Sequence, residues 1–121
     1  MYKFNNDKPI FIQVANVIEL QIISGVLKSG DKVDSVRDLA KLYSVNPNTI
    51  QKAMTILEDE GLVDVHRGVG RTISETKNIE KYINNYILNE IQDFTKLMKE
   101  QKVSKKFVLD VITREWENEN K

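Results

Sequence analysis

Two short helical segments on either side of a four-residue turn constrain this 121-residue chain more than any other feature. The first opens with Ser35-Val36-Arg37-Asp38, where a serine and an acid three residues later can satisfy the free N–H groups of a helix start. The second opens with Asn46-Pro47, because asparagine is favoured at the N-cap and proline at the first helical position. The turn between them is Tyr43-Ser44-Val45-Asn46, and this spacing predicts a helix-turn-helix.

A further helix is predicted before this pair. It begins at Pro9, with Asp7 upstream as its cap, and apolar residues recur at helical spacing as far as Ile22. Gly25 follows as a left-handed C-cap, since glycine adopts positive φ angles without strain. We expect the three helices to share one core. Its central residues are predicted to be Ile18, Leu39, Ile50 and Leu57.

After the third helix the pattern of the sequence changes from helical to β-like. Gly61 ends the helix, and the runs 62–66 and 71–74 flank a tip, Arg67-Gly68-Val69-Gly70, whose glycines permit a tight turn. Three helices followed by a small hairpin predict a winged helix-turn-helix, which we assign to residues 1–77. The predicted fold class is mainly α with a small β-hairpin, or α+β.

From Asn78 onward the sequence is helical again, in two segments separated by a break at Val103-Ser104, with Ser104 as the expected cap. Each segment carries an apolar stripe, but two helices alone cannot form a core of useful size. Residues 78–121 are therefore either a helical hairpin packed on the first domain or, as we favour, a dimerisation segment in which association supplies the missing burial. The expected dimer-interface residues are Ile83, Ile87, Ile91, Phe94, Met98, Phe107, Val111 and Trp116.

Charge and composition narrow the range of functions. Eighteen Lys and Arg balance 18 Asp and Glu, so a DNA-binding surface has to arise from the positions of the charges. With no cysteine and only His66, and without a nucleophile–base pair or phosphate-binding loop, we expect no enzyme activity, metal or cofactor. The absence of a secretory leader and of a long apolar run predicts a cytoplasmic protein without membrane contact.

Several short segments between residues 8 and 74 form a recognisable set. They are Lys8-Pro9-Ile10-Phe11-Ile12-Gln13, Ser29-Gly30-Asp31-Lys32, Ser35-Val36-Arg37-Asp38-Leu39-Ala40, Val45-Asn46-Pro47-Asn48-Thr49-Ile50, Glu60-Gly61-Leu62-Val63 and Arg67-Gly68-Val69-Gly70-Arg71. Together they resemble the GntR family of bacterial transcription regulators. The resemblance implies a winged helix that binds double-stranded DNA.

The short tail is similar in length and pattern to that of the YtrA-like branch of the family. This resemblance implies a homodimeric repressor that binds a palindromic operator and controls neighbouring genes, typically of ABC transporters. It also implies a small hydrophobic or amphipathic effector near the dimer interface. One position departs from the family pattern: Asp34 stands where the family usually has proline, which places a negative charge near an expected phosphate contact.

DNA binding requires phosphate contacts for affinity and base-edge contacts for sequence choice. Arg37, a DNA contact in the family, follows the Ser35 cap, where free N–H groups attract phosphate. The first turns of the third helix should enter the major groove, whereas the acidic run Glu58-Asp59-Glu60 is expected to lie away from the DNA. Arg67 and Gly68 resemble the minor-groove contact of the family. The predicted DNA-binding residues are Ser35, Arg37, Asn48, Thr49, Gln51, Lys52, Arg67, Gly68 and Arg71.

Each main assignment has a structural alternative. Ser35 could only cap its helix, Arg37 could form a surface ion pair, and Thr49 could bond back to the helix backbone. Lys52 and Arg67 could simply be solvated. For the whole chain, the alternative function is a winged-helix module that binds protein and does not recognise a DNA sequence.

Overall fold

The chain forms five helices and one β-hairpin in the computed structural model, which describes residues 3–118. The elements are α1 (Ile10–Ile23), α2 (Val36–Tyr43), α3 (Pro47–Asp59), β1 (Val63–His66), β2 (Gly70–Ile73), α4 (Thr76–Glu100) and α5 (Lys105–Glu117). This order confirms the predicted α+β class and the winged helix-turn-helix. Helices α4 and α5 follow the hairpin, as predicted, although α4 begins two residues before Asn78.

Three of the predicted helix caps are present. The Ser35 hydroxyl accepts a hydrogen bond from the Asp38 N–H at 3.1 Å, and the Asn46 side chain accepts one from the Asn48 N–H at 2.8 Å. Ser104 caps α5 in the same way, with its hydroxyl 3.1 Å from the N–H of Phe107. Each cap satisfies a donor that the helix itself leaves unpaired, which explains why these three helices start where they do.

The prediction that Asp7 caps the first helix is wrong. The N-cap residue of α1 is Pro9, and no side chain bonds to the free N–H groups there. Gln13 instead reaches back from the first turn: its Nε2 donates to the carbonyls of Asn5 and Lys8, and its Oε1 accepts from the Asn5 N–H at 3.1 Å. The segment before α1 is thus held by a side chain inside the helix.

The core lies where α1, α2, α3 and the hairpin meet. Side chains of α3 occupy its centre, because Ile50, Met54 and Leu57 repeat at helical spacing and all three are fully buried. Burial of one such side chain contributes about 1.5–3 kcal/mol, so this stripe fixes α3 and exposes its opposite face. The four predicted core residues are all buried. The other buried apolar residues are Val14, Ala15, Ile22, Ala40, Tyr43, Ala53, Leu62, Val63 and Ile73.

The wing is an antiparallel hairpin that a third segment supports. Its register pairs Val63 with Ile73 and His66 with Gly70. The loop before α2 runs beside β2, where the Val33 N–H donates to the Arg71 carbonyl at 2.9 Å and the Ile73 N–H donates to the Asp31 carbonyl at 2.8 Å. These bonds anchor β2 on its outer edge, which stabilises a two-stranded sheet that would be marginal alone.

The chain divides into two compact units, of which one ends at Asn84 and the other begins at Asn85. In the first unit, Ile79 and Tyr82 from the start of α4 pack against the winged-helix core. The second unit consists of the rest of α4 and the whole of α5. No described residue of these two segments is buried. The predicted boundary at 77/78 falls in the first turn of α4 and stays a prediction. The outer ends of the two predicted domains, residues 1–2 and 119–121, lie outside the described residues.

Candidate nucleic-acid interface

The face of α3 opposite its buried stripe is polar and accessible. Asn48, Gln51 and Lys52 are exposed, and Thr49 is half-buried. Because α3 begins at Pro47, all four side chains lie in its first two turns, the part of a recognition helix that reaches base edges in the major groove. The structure therefore brings four of the predicted site residues onto one surface.

The start of α2 supplies two further predicted residues. The Ser35 oxygen is used as the helix cap, although its hydroxyl hydrogen can still be donated to a phosphate. Arg37 is exposed in the first turn of α2, and it forms no ion pair within residues 3–118. The described structure thus offers no support for the ion-pair alternative at Arg37. Asp34 is also exposed, immediately before the cap.

Lys52 has a partner that the sequence did not indicate. Its Nζ lies 5.5 Å from the centroid of the Phe11 ring on α1, which is within the range of a cation–π contact. Phe11 is half-buried and Lys52 is exposed, so the ammonium group contacts the ring while the lysine remains at the surface. This geometry is compatible with a phosphate or guanine contact.

The wing tip presents Arg67 and Gly68 to solvent. Gly68 has φ +77° and Gly70 has φ +125°, both of which are backbone conformations that residues with a Cβ rarely adopt. No atom lies within 4 Å of a Cβ built at Gly68, so backbone strain rather than lack of space makes glycine necessary there. A bare backbone beside an exposed arginine can approach a narrow groove closely.

Arg71 is placed differently from the other predicted DNA contacts. Its Nε lies 2.5 Å from Oε2 of Glu58 on α3, and its Nη2 donates to Oε1 of Gln51 at 3.3 Å. The side chains of Arg71 and Glu58 are 24% and 26% exposed, so both are largely shielded from water. Arg71 therefore connects the wing to α3, and its predicted contact with DNA stays a prediction.

Sequence reasoning missed the role of Glu58. The residue was expected to lie away from the DNA because it belongs to an acidic run at the end of α3. It follows Gln51 by seven residues, however, which is two helical turns, so both side chains lie on one face of α3. That spacing was visible in the sequence, but the partner on β2 depends on how the hairpin folds back.

A separate acidic cluster joins α1, the end of α3 and the start of α4. The hydroxyl of Tyr82 donates to Oε2 of Glu19 at 3.2 Å. Glu60 lies beside Glu19, and its Oε1 is shielded from water. Burial, followed by the hydrogen bond to Glu19 and repulsion from its charge, raises the pKa of Glu60 from 4.5 to about 8. All three side chains of this cluster are half-buried, and none of them is among the predicted DNA-binding residues.

Within the described part of the chain, the structure contains no cluster of three His, Asp or Glu residues suited to a metal ion. His66 bonds through Nε2 to the Thr72 hydroxyl at 2.7 Å, across the hairpin. Of the helices between residues 3 and 118, none is both long and apolar enough to cross a membrane.

Helix α3 with its polar face, the preceding helix α2 and the Arg-Gly wing tip together define a winged helix-turn-helix protein of the DNA-binding class. Residues 12–73 match the family described as "Bacterial regulatory proteins, gntR family". The chain belongs to the GntR family, which confirms the resemblance found in the sequence.

Known proteins similar to the chain are regulators of the same family. It is 36% identical over 111 residues to the uncharacterized HTH-type transcriptional regulator YhcF of Bacillus subtilis, with 91% of this chain and 92% of YhcF covered. It is 43% identical over 67 residues to the B. subtilis HTH-type transcriptional repressor YtrA, with 55% of this chain and 52% of YtrA covered. A solved GntR family transcriptional regulator from Listeria monocytogenes superposes with a TM-score of 0.74 at 32% identity, with 92% and 98% covered. These relatives confirm the prediction of a transcriptional regulator and not an enzyme.

Proposed function

We propose that this chain is a homodimeric repressor that binds a palindromic operator with α2, α3 and the wing. The observation that carries the proposal is the pairing of two features in one chain: a polar, accessible recognition helix and a second unit whose apolar stripe is uncovered. The polar helix provides the contact with one half of the palindrome, which is called a half-site. The second unit gives a reason for two copies to associate and to occupy two half-sites.

The case for a dimer rests on the exposure of the predicted interface. Ile91 in α4 is 47% exposed and Trp116 in α5 is 73% exposed, and most of the other predicted interface residues are similarly accessible. Only Ile83 and Met98 are half-buried. Monomeric soluble proteins rarely expose contiguous apolar surface of this kind, so a second copy is the occupant we favour. Exposed apolar residues also extend beyond the predicted interface residues, and they include Leu88, Leu97, Leu109 and Ile112.

The case for DNA as the partner rests on the composition of the exposed α3 face. A protein-binding surface depends on buried apolar anchors, whereas the accessible residues here are amide and lysine side chains. The exposed face of α3 therefore does not favour the alternative of a protein-interaction module. The repressor role follows the printed description of YtrA, and control of neighbouring ABC transporter genes is part of the same proposal.

A small hydrophobic or amphipathic effector is the last element of the proposal. The second unit contains a groove of about 340 Å³ between the end of α4 and α5, and the residues that line it include Phe94, Met98 and Ile112 together with Lys99 and Lys105. A groove with this lining would accept an apolar group that carries a negative charge.

Electrophoretic retardation of the DNA upstream of the chain's own gene tests the proposal. We expect a specific complex that survives excess unrelated DNA, loses affinity steeply with salt, and requires both halves of an inverted repeat. A scrambled inverted repeat of equal length and composition is the control. Equal retardation of the scrambled duplex would contradict sequence-specific binding.

A further inference from the structure

The contacts of Arg71 bear on which base the recognition helix can select. We propose that Arg71 is a positioning residue that orients the Gln51 amide, so that Gln51 presents hydrogen-bond donors to the major groove and selects guanine or thymine over adenine. This inference rests on the proposed DNA-binding face and specifies what one residue of that face recognises.

The orientation of Gln51 follows from the chemistry of its partner. A guanidinium group carries only donors, so the atom of the Gln51 amide that meets Nη2 of Arg71 has to be the oxygen. The amide nitrogen Nε2 is then directed away from Arg71, and within residues 3–118 it donates to no other group. The hydroxyl of Thr55 bonds to the backbone carbonyl of Gln51 and leaves the amide unaffected.

Arg71 is itself held on both sides. Its carbonyl accepts from the Val33 N–H, which fixes the backbone, and its Nε is paired with Glu58 in a largely shielded site. A charge-assisted bond between partly buried groups is stronger than one in open solvent. The guanidinium therefore cannot swing away from Gln51 without also breaking its bond to Glu58.

The base preference follows from the edges of the bases. Glutamine pairs with adenine through two bonds, in which the oxygen accepts from N6 and the nitrogen donates to N7. Arg71 competes for that oxygen, whereas two donors on Nε2 match N7 and O6 of guanine or O4 of thymine. Without Arg71, the amide would be free to rotate and to pair with adenine.

Selection from a pool of random duplex DNA tests this inference, with the wild-type chain and four variants. Gln51→Ala identifies the position that depends on Gln51, because only that position should lose its preference. Arg71→Met frees the amide, and Glu58→Gln combined with Arg71→Met does so without leaving an unpaired carboxylate. Glu58→Gln alone, which retains an acceptor for Arg71, separates the effect of losing the Glu58 charge from the effect of losing Arg71. Thermal unfolding of each variant verifies that the fold is retained.

We expect the wild-type chain to enrich guanine or thymine at the Gln51-dependent position. Both Arg71→Met variants should shift that position alone toward adenine, by about fivefold or more, which corresponds to the lower range for a well-formed bidentate pair. Selection of adenine by the wild-type chain, or an unchanged preference in both Arg71→Met variants, would overturn the inference while leaving operator binding intact. If the wild-type chain enriches no sequence, the proposed function fails and the inference fails with it.

Discussion

The hydroxyl of Tyr82 lies 3.2 Å from Oε2 of Glu19 and donates to it, which joins the first turns of α4 to α1. Glu60, the C-cap residue of α3, lies at the same junction, and its raised pKa makes the stability of the fold depend on pH. The junction therefore connects the recognition helix and the start of the tail through acidic groups.

The first prediction concerns this pH dependence. Because Glu60 keeps its proton in the folded chain up to about pH 8 but loses it near 4.5 when unfolded, the folded state binds more protons between these values. The free energy of unfolding should fall as the pH rises through this window and should level off above it. Since Glu60 is only partly buried, we expect the slope to lie well below the limit of about 1.4 kcal/mol per pH unit.

Urea unfolding of the wild type and Glu60→Gln between pH 5 and pH 9 measures this effect. The glutamine amide can still donate to Glu19 but carries no charge, so the variant should have a flatter pH profile and greater stability near pH 8. Glu80→Gln, an exposed acid on α4, is the control. The explanation fails if Glu60→Gln and the wild type lose stability in parallel.

The second prediction concerns phosphate and base contacts. Arg37→Ala and Lys52→Ala should each weaken operator binding, because both side chains are exposed on the proposed DNA-facing surface. A lost phosphate contact should also reduce the slope of log affinity against log salt by about 0.9. Lys52→Ala gives up the Phe11 contact as well, at a stability cost of about 1 kcal/mol or less.

Fluorescence anisotropy at several salt concentrations measures both affinity and slope. Lys81→Ala removes an exposed positive charge from α4 and should leave the affinity nearly unchanged. If Arg37→Ala and Lys52→Ala both bind like the wild type, the proposed DNA-facing surface is incorrect.

The third prediction concerns the wing. Arg67→Ala should weaken binding more on operators with A·T-rich flanks than on those with G·C-rich flanks, because a narrow minor groove has a stronger negative potential. The measurement is a comparison of dissociation constants on two operators that differ only in their flanks. Val69→Ala, at the same exposed tip, should affect both alike. Equal losses for Arg67→Ala on the two flanks would indicate an ordinary phosphate contact.

Local signals in the sequence predicted much of the fold. Ser35, Asn46 and Ser104 were identified as caps because a cap depends on residues within three positions of it. Gly61 and Gly68 were identified for a similar reason, since a positive φ is a property of a single residue. Only the cap of the first helix was predicted wrongly, because Gln13 holds the preceding segment from inside the helix and Asp7 makes no cap bond.

Contacts between distant segments were not predictable in the same way. The pairing of Arg71 with Glu58 depends on the hairpin folding back along α3. The raised pKa of Glu60 depends first on burial and then on Glu19, 41 positions earlier in the sequence. Neither pair has a periodic or motif signature. The candidate site was therefore predicted as a set of residues, whereas the division of roles within it required the three-dimensional structure.

The most direct test of the central proposal is sedimentation equilibrium of the full chain and of Ile91→Glu at micromolar concentration. Ile91 is exposed in the middle of the apolar stripe, so a glutamate there should leave the protomer folded but would bury an unpaired carboxylate in a dimer. We predict that the wild type sediments at twice its mass of 14.0 kDa and that Ile91→Glu sediments as a monomer. A monomeric wild type, or an Ile91→Glu variant that remains a dimer, would contradict association through this stripe.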